Sequence, residues 1–274
     1  MSETDRPRLP GYAEHPFRGA QACLLDAAWQ HLAGDAPRPH RLPPFWQPSL
    51  GVRRTVGPDG AVSDVCLTLF GPAGRARLYA PAPGAEMIAI RVQPEIAAAL
   101  LKQHPREHVD AKTPLGALPG FDAVRRLAET GAPGPVLAGA LASVLGRAGA
   151  EIAPPRDRVS HAARLIRASR GRVRIERLAG HLDLPARTLR RHFTDRLGLS
   201  PKAYAGLVRL NALIQAADRQ LRPDWAGLAL RFGFADQAHM SGEVARQTGL
   251  SPARLHAERI GLAEISKTGA PALS

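Results

Sequence analysis

Apolar residues recur at every second position in two stretches of the first third of the chain. The alternating positions are Val65, Leu67 and Leu69 in one stretch and Ile88, Ile90 and Val92 in the other. Such alternation predicts β-strands that bury one face. Proline and glycine cluster at residues 58–60, 71–74 and 81–84, where the chain is expected to reverse. We therefore predict a small, barrel-like β-rich unit over about residues 40–95.

The regions on either side of this unit show the spacing that is typical of helices. Residues 17–32 are predicted to form a helix before the β-rich unit. After it, Pro94 opens a run that places Ile96, Leu100 and Leu101 on one helical side. Residues 121–148 are also predicted to be helical.

A domain boundary is predicted where the periodic pattern stops, at residues 149–158, which contain two consecutive prolines. Residues 1–150 are therefore one predicted domain. Beyond the boundary the pattern is helical only, and the sequence repeats itself. The GLSP sequence at 198–201 returns at 249–252, and LA at 178–179 returns at 228–229. The offset grows from 50 to 51 residues, so the turn in the second copy is expected to be one residue longer.

The first copy predicts a short helix over residues 175–182, a tight turn, and a second helix over 186–196. Leu189 and Phe193 are four residues apart and share the buried side of this second helix. The opposite side carries Arg187, Arg190 and Arg191. Guanidinium groups match guanine edges and phosphate oxygens, and a helix-turn-helix places such a helix in the ~12 Å major groove. A merely solvated basic face is the alternative, and the existence of a second copy argues against it.

The second copy repeats the pattern with different chemistry. Asp224 and Asp236 are predicted to cap its two helices, and Met240 and Val244 to face inward. The residues expected to face outward are Gln237, His239 and Ser241. Between the copies, an apolar stripe from Leu207 to Leu221 predicts a helix over about residues 201–221, ~31 Å long. Because one turn of DNA advances ~34 Å, this helix could set both recognition helices into successive major grooves.

The net positive charge of the chain indicates which class of molecule it binds. The chain has 274 residues and a net charge of +13, and residues 151–274 hold 21 basic against 11 acidic side chains. This excess predicts a polyanion partner for the C-terminal half. The polar start of the chain and the lack of a long apolar run predict a cytoplasmic, nucleoid-associated protein with no membrane span. Cys23 and Cys66 show no metal or disulfide spacing, and no cofactor is predicted.

Residues 156–260 resemble the DNA-binding domain of the AraC family of transcription regulators, and residues 261–274 are a predicted tail. The motifs that carry the resemblance are IxxLA from Ile175, RxLxRxF from Arg187, GxSPxxY from Gly198 and GFxDQxH from Gly233. The resemblance implies an α+β protein whose C-terminal all-α domain holds two helix-turn-helix motifs joined by a long helix. It also implies base contacts by Arg187, Arg190, Arg191, Gln237 and Ser241. We add His239 to these predicted base contacts because it is expected to face outward on the same helix as Gln237 and Ser241. Members of the family often have arginine at the position of Gly242. Because glycine cannot make that contact, we expect the first motif to contribute more to sequence discrimination than the second.

A cluster of arginines precedes the first motif and is predicted to contact phosphates, although a solvated face is an equal alternative. Its members are Arg164, Arg170, Arg172 and Arg174, with Arg167 among them. The N-terminal half loosely resembles AraC-type sensor domains, which implies a small-molecule effector or a homodimer. RNA polymerase would be a partner if the protein is an activator. Trp29, Phe45 and Trp46 either line a pocket or belong to the core.

Two other functions compete with a sequence-specific regulator. His104, Glu107 and His108 fit the HxxEH pattern of some zinc peptidases, but Pro105 would disrupt the helix that the pattern needs, and no third ligand follows. No catalytic residue is therefore predicted. A non-specific nucleoid protein would use the same positive charge. RNA binding is disfavoured because aromatic side chains do not alternate with the basic ones.

Overall fold

The computed structural model describes residues 12–101, 105–114, 120–150 and 157–268. Its N-terminal part is built on a six-stranded antiparallel sheet in the order β1-β2-β7-β4-β5-β8, and β3 pairs with β6 in a separate two-stranded sheet. The strands are β1 Tyr12–Pro16, β2 Leu25–Leu32, β3 His40–Leu42, β4 Ser49–Val56, β5 Val62–Phe70, β6 Arg77–Tyr79, β7 Ala85–Val92 and β8 Lys112–Pro114. The two predicted alternating stretches are confirmed as parts of β5 and β7.

One face of the six-stranded sheet is the main N-terminal core. Leu50 and Val52 of β4 lie beside Ile88 and Ile90 of β7, and all four are buried. Helices α2 (Phe121–Glu129) and α3 (Gly134–Ala150) cover this face. Burying such β-branched and leucine side chains provides about 1.5–3 kcal/mol each.

The helix predicted over residues 17–32 is wrong. The chain there forms a short 3-10 helix, Gly19–Cys23, followed by β2. The sequence of β2 contains two alanines that favour a helix, yet β2 pairs with β1 on one side and β7 on the other. The pairing and the burial of Leu25 and Ala27 outweigh the local preference, which differs by less than about 1 kcal/mol per residue.

The other helices predicted in the N-terminal half are present with changed bounds. Helix α1 spans Pro94–Leu101, as expected. The predicted segment 121–148 is divided into α2 and α3, because Gly131 adopts a φ of 78° and Pro133 restricts the residue before it.

The C-terminal part consists of helices only, so the predicted fold class is confirmed. The helices are α4 Arg158–Ala168, α5 Ile175–His181, α6 Ala186–Leu197, α7 Pro201–Ala217, α8 Trp225–Arg231, α9 Gln237–Thr248 and α10 Pro252–Thr268. They form two separate cores, one around Phe193 and Tyr204 and the other around Phe232 and Met240. The first half of α7 belongs to one core and its second half to the other, so α7 joins the two motifs.

Helix α7 is shorter than the sequence predicted. It ends at Ala217 and not near residue 221, which makes its 17 residues about 26 Å long. Leu221, placed at the end of the predicted apolar stripe, is 88% exposed. The stripe itself is otherwise confirmed, because Leu207, Leu210 and Ile214 are buried.

Candidate nucleic-acid interface

The first helix-turn-helix consists of α5 and α6, with four residues between them, 182–185. Asp183 in this turn has a φ of 49°, a left-handed conformation that short polar residues tolerate better than most. Leu189 and Phe193 of α6 are fully buried, as predicted. The buried side chains fix the rotation of α6 about its axis, and this rotation determines which residues face solvent.

The three arginines predicted on the outer side of α6 are all exposed, and they are Arg187, Arg190 and Arg191. They project from the N-terminal two-thirds of the helix, and the Nη2 atom of Arg191 lies 3.4 Å from Nε2 of His192. The structure contains no carboxylate paired with any of the three among the residues it describes. The exposed face of α6 therefore presents free guanidinium groups, which is the chemistry that guanine edges and phosphates recognise.

The second helix-turn-helix consists of α8 and α9, with five intervening residues, 232–236. The prediction of one extra residue in this turn is confirmed. Asp224 accepts a hydrogen bond from the Gly227 backbone at 3.0 Å, and Asp236 accepts one from the His239 backbone at 2.7 Å. Both carboxylates are thus the predicted N-caps. Gly233 takes the left-handed position in this turn, with a φ of 72°.

The outer face of α9 is less basic than that of α6. Gln237 is exposed, whereas Ser241 is only partly exposed. The His239 ring packs edge-on against Phe234, and its Nδ1 lies 3.3 Å from the Ala235 backbone nitrogen. His239 therefore stabilises the turn as well as facing outward. Gly242 leaves an open position on this face, since a Cβ added there would have no described atom within 4 Å.

Four of the five arginines that precede the first motif are exposed, and these are Arg164, Arg170, Arg172 and Arg174. Arg172 also donates to the Arg231 carbonyl at 3.2 Å, which links the start of the first motif to the end of α8. Arg167 is different, because it points inward toward the N-terminal part. The suggestion that Arg167 contacts phosphate is therefore wrong.

Arg167 lies at a buried junction between the two parts of the chain. Its Nη1 donates to Glu95 of α1 at 2.6 Å and to the Tyr204 hydroxyl of α7 at 2.9 Å. Its guanidinium also lies over the Trp46 ring, 5.6 Å from the centroid. Trp46 packs edge-on against Tyr204 at 5.3 Å, so it belongs to an interdomain core. Burial raises the pKa of Tyr204, which keeps its hydroxyl protonated.

Sequence reasoning missed this junction. Tyr204 was present in the GxSPxxY motif, but the motif does not identify Arg167 as its partner, nor Glu95 as the partner of Arg167, 72 positions earlier than Arg167 in the chain. Asn211 of α7 was also missed, and its side chain donates to the Pro44 carbonyl at 2.9 Å. A buried polar residue inside the apolar stripe of α7 was the available signal, because such a residue needs a partner.

The second face of the N-terminal sheet carries polar and aromatic side chains. The register aligns His31, Met87, Arg53 and Cys66 in one row across four strands. His31 lies against His40 and Tyr79, with ring centroids 5.4 and 6.0 Å away. Burial, together with His40, lowers the pKa of His31 to about 4.

Trp29 and Phe70 fill the centre of this face. Trp29 is on β2 and Phe70 is on β5, and two strands separate them, so their backbones are about 14 Å apart. Their ring centroids are nevertheless 6.2 Å apart. The row that starts at Trp29 continues through Ala89 and Gly51, which have little or no side chain, to Thr68, and Phe70 lies two residues further along β5 on the same face. Trp29 is thus a packing residue here, and Phe45 stacks under the Arg91 guanidinium at 4.9 Å.

The residues of the HxxEH pattern are only partly described, because His104 lies outside the described residues. Pro105–His108 forms a short 3-10 helix, and not the α-helix that the pattern needs. His108 is buried, with Nδ1 3.4 Å from the Thr113 hydroxyl. Within the described part of the chain, no three His, Cys, Asp or Glu side chains are grouped to hold a metal. Neither Cys23 nor Cys66 forms a disulfide.

The family model of a helix-turn-helix domain matches residues 178–258, which contain the second half of α5 and all of α6, α7, α8 and α9. The C-terminal part of the chain therefore contains a helix-turn-helix domain. No curated protein matches the sequence significantly.

Solved structures of ToxT from Vibrio cholerae are similar to this chain at low identity. The ToxT of strain O395 is 9% identical with a TM-score of 0.47, and the match covers 92% of this chain and 99% of ToxT. A fatty-acid-bound ToxT of strain SCE256 is 9% identical with a TM-score of 0.47, covering 91% and 96%. No helix among the described residues has the length and apolar character to cross a membrane.

Proposed function

We propose that this protein is a sequence-specific regulator of transcription that reads duplex DNA with α6 and α9. The observation that carries the proposal is the basic face of α6, formed by Arg187, Arg190 and Arg191, which no carboxylate of the described residues pairs. Gln237, His239 and Ser241 are the proposed readers on α9. Because α9 offers fewer cations and has Gly242 in the middle of its outer face, the first motif contributes more to discrimination.

The exposed arginines outside α6 have a different proposed role. Arg164, Arg170, Arg172 and Arg174 contact backbone phosphates and set the register of the protein on the duplex. Each such contact that is lost lowers the salt dependence of binding without changing base preference. The site of action is promoter DNA in the nucleoid, and RNA polymerase is a partner if the regulator is an activator.

The N-terminal part is proposed to modulate this activity, through a small-molecule effector or through a homodimer. The polar row on the second face of its sheet supports an effector. The Nε of Arg53 is buried there without a hydrogen-bond partner, and among the described residues Arg53 has no carboxylate neighbour in an ion pair. The side chain as a whole is partly buried, and a partly buried cation without an ion-pair partner favours an anionic group of a ligand beside it.

Footprinting of the purified protein on DNA upstream of its own and neighbouring genes tests the main proposal. Once a site is found, Arg190→Ala and Arg191→Ala are compared with Arg177→Ala, an exposed arginine on α5. A base-reading arginine is expected to contribute about 1–3 kcal/mol at its own base pair and to relax preference there when it is removed. The Arg177 variant should keep the preference of the wild type.

A non-specific nucleoid protein is the second candidate function, and the same positive charge supports it. The two functions differ in the ratio of specific to non-specific duplex affinity. The nucleoid function would be supported, and the proposal contradicted, by two results together. The ratio of specific to non-specific affinity would be near one, and Arg190→Ala and Arg191→Ala would each lower the affinity equally on all DNA sequences.

A further inference from the structure

A six-residue segment of the N-terminal part contacts the helices of the C-terminal part at three places. This segment is Arg41–Leu42–Pro43–Pro44–Phe45–Trp46. Arg41 contacts the end of α9 in the second motif, the Pro44 carbonyl contacts Asn211 of α7, and Trp46 contacts Tyr204 near the start of α7. Five Cα steps span at most about 18 Å, so the segment runs beside α7 from one motif toward the other.

The contact at the second motif is a cap on the end of its recognition helix. Arg41 Nη1 donates to the Thr248 carbonyl at 3.1 Å, and Thr248 is the last residue of α9. The preceding carbonyl, that of Gln247, accepts from the Ala76 backbone nitrogen at 2.8 Å. The final carbonyls of a helix have no partner within the helix and carry partial negative charge. The N-terminal part therefore supplies the donors that α9 lacks, and Arg41 lies 3.7 Å from Glu258 of α10 as well.

The contact nearest the first motif is an edge-on contact between the partly buried ring of Trp46 and the buried ring of Tyr204 in α7. Trp46 packs on Tyr204 and under Arg167, and it belongs to the core that includes Phe193 of α6. Tyr204 itself packs edge-on against Phe193 at 5.3 Å. A displacement of Trp46 is thus transmitted to the recognition helix through one intervening ring.

The segment is held stiffly within the N-terminal part. Arg41 and Leu42 are in β3 and pair with β6, and Phe45 exchanges two backbone hydrogen bonds with Ala73, at 3.0 and 2.7 Å. Pro43 and Pro44, between these anchors, have restricted φ angles. Because the segment is stiff and has contacts at both ends, it keeps the elements that it contacts at a fixed distance from each other.

We propose that residues 41–46 form an interdomain strap that holds the two recognition helices at one separation and orientation, with Arg41 as a positioning residue for α9. The inference rests on the proposed function, because a fixed separation matters only if α6 and α9 read one duplex. His40, which lies in the N-terminal interior against His31 and Tyr79, directly precedes the strap. A ligand that moves His40 would therefore change how α9 is held.

Two variants test the strap. Arg41→Ala removes the cap on α9, and its matched control is Arg38→Ala, an exposed arginine with no side-chain bond to the described residues. The double variant with Pro43→Gly and Pro44→Gly loosens the segment while it keeps the backbone carbonyl of position 44 as an acceptor for Asn211. Circular dichroism and thermal melting confirm that each full-length variant is folded before it is used.

The first measurement involves no DNA. Spin labels are attached at His192→Cys on α6 and Ala245→Cys on α9, both exposed, in a background with Cys23→Ala and Cys66→Ala. Double electron–electron resonance should give a narrow distance distribution in the parent and in Arg38→Ala. It should give a broader or shifted distribution in Arg41→Ala and in the double glycine variant. Identical distributions in all four proteins would overturn the strap.

The second measurement uses the footprinted site with one base pair inserted or deleted between the two contacted segments. The wild type should lose most of its affinity on the altered spacings. The Arg41→Ala variant should bind the site with natural spacing about tenfold more weakly, because the effective concentration of the second motif at its half of the site is lower. The affinity of this variant should also depend less on the spacing. Equal spacing dependence in wild type and variant would contradict the strap, whereas absence of any specific site would contradict only the proposed function.

Discussion

At the scale of single residues, the structure pairs most of its buried charges and leaves a few polar groups in apolar surroundings. Arg54 shows the first case: it donates to Glu86 at 2.6 Å and to the Ala128 and Ala132 carbonyls at 3.0 and 2.8 Å. These bonds attach α2 to the sheet. His31 shows the second case, because it is buried against another histidine and is neutral at pH 7.

The lowered pKa of His31 predicts an acid-sensitive N-terminal part. The unfolded chain takes up a proton near pH 6.5, whereas the folded chain excludes it until about pH 4. Stability from this residue is therefore complete above pH 6.5 and is lost as the pH falls toward 4. His31→Phe removes the titration, so between pH 7 and pH 4.5 the wild type should lose about 1–3 kcal/mol more than the variant. Urea unfolding at both pH values measures the difference, and parallel losses would contradict the assignment.

At the scale of helices and strands, the repeated motif shows which features a sequence can predict. Helix α9 could be predicted because its cap, Asp236, and its inward side chains, Met240 and Val244, are local signals. Strand β2 could not, because its strand conformation depends on pairing with β1 and with β7, and β7 is distant in sequence. The outward arginines of α6 could be predicted from periodicity, whereas the inward direction of Arg167 depends on Glu95 in another part of the fold.

The ends of the two recognition helices provide a matched comparison. Gly198 and Gly249 follow α6 and α9 with φ angles of 77° and 76°. A Cβ at Gly198 would lie 2.8 Å from the Pro105 carbonyl oxygen, whereas at Gly249 the nearest atom is Arg41 Nη1 at 3.8 Å. Gly249→Ala should therefore cost about 1 kcal/mol for the left-handed conformation alone. Gly198→Ala should cost more, about 2–3 kcal/mol, since the clash adds to that conformational cost.

Denaturant unfolding of the two alanine variants provides the measurement. Equal losses of stability would mean that the short 3-10 helix at Pro105–His108 does not hold the end of α6 as closely as the structure has it.

At the scale of the whole molecule, the two parts share buried side chains and should unfold together. Glu95 is 6% exposed and pairs with Arg167 across the junction. Glu95→Gln would leave the Arg167 charge without its carboxylate in a largely buried position, which typically costs about 3 kcal/mol or more. We expect calorimetry to show one transition for the wild type, and for the variant a lower midpoint and two resolved transitions.

The control for this prediction is Glu129→Gln, an exposed carboxylate at the end of α2. It should leave both the midpoint and the single transition unchanged within about 0.5 kcal/mol. Two transitions already in the wild type would mean that the junction does not couple the domains.

The rings of Trp29 and Phe70, whose centroids are 6.2 Å apart on the second face of the sheet, bear on the kinetics with which the proposed effector would bind. If the effector binds between these two rings, the Trp29 indole has to rotate before the effector can enter. The observed rate constant for effector binding would then reach a plateau at high effector concentration. The plateau would equal the rate constant for rotation of the indole. Because the rotating side chain is a tryptophan, binding of the effector would change the intrinsic tryptophan fluorescence of the protein.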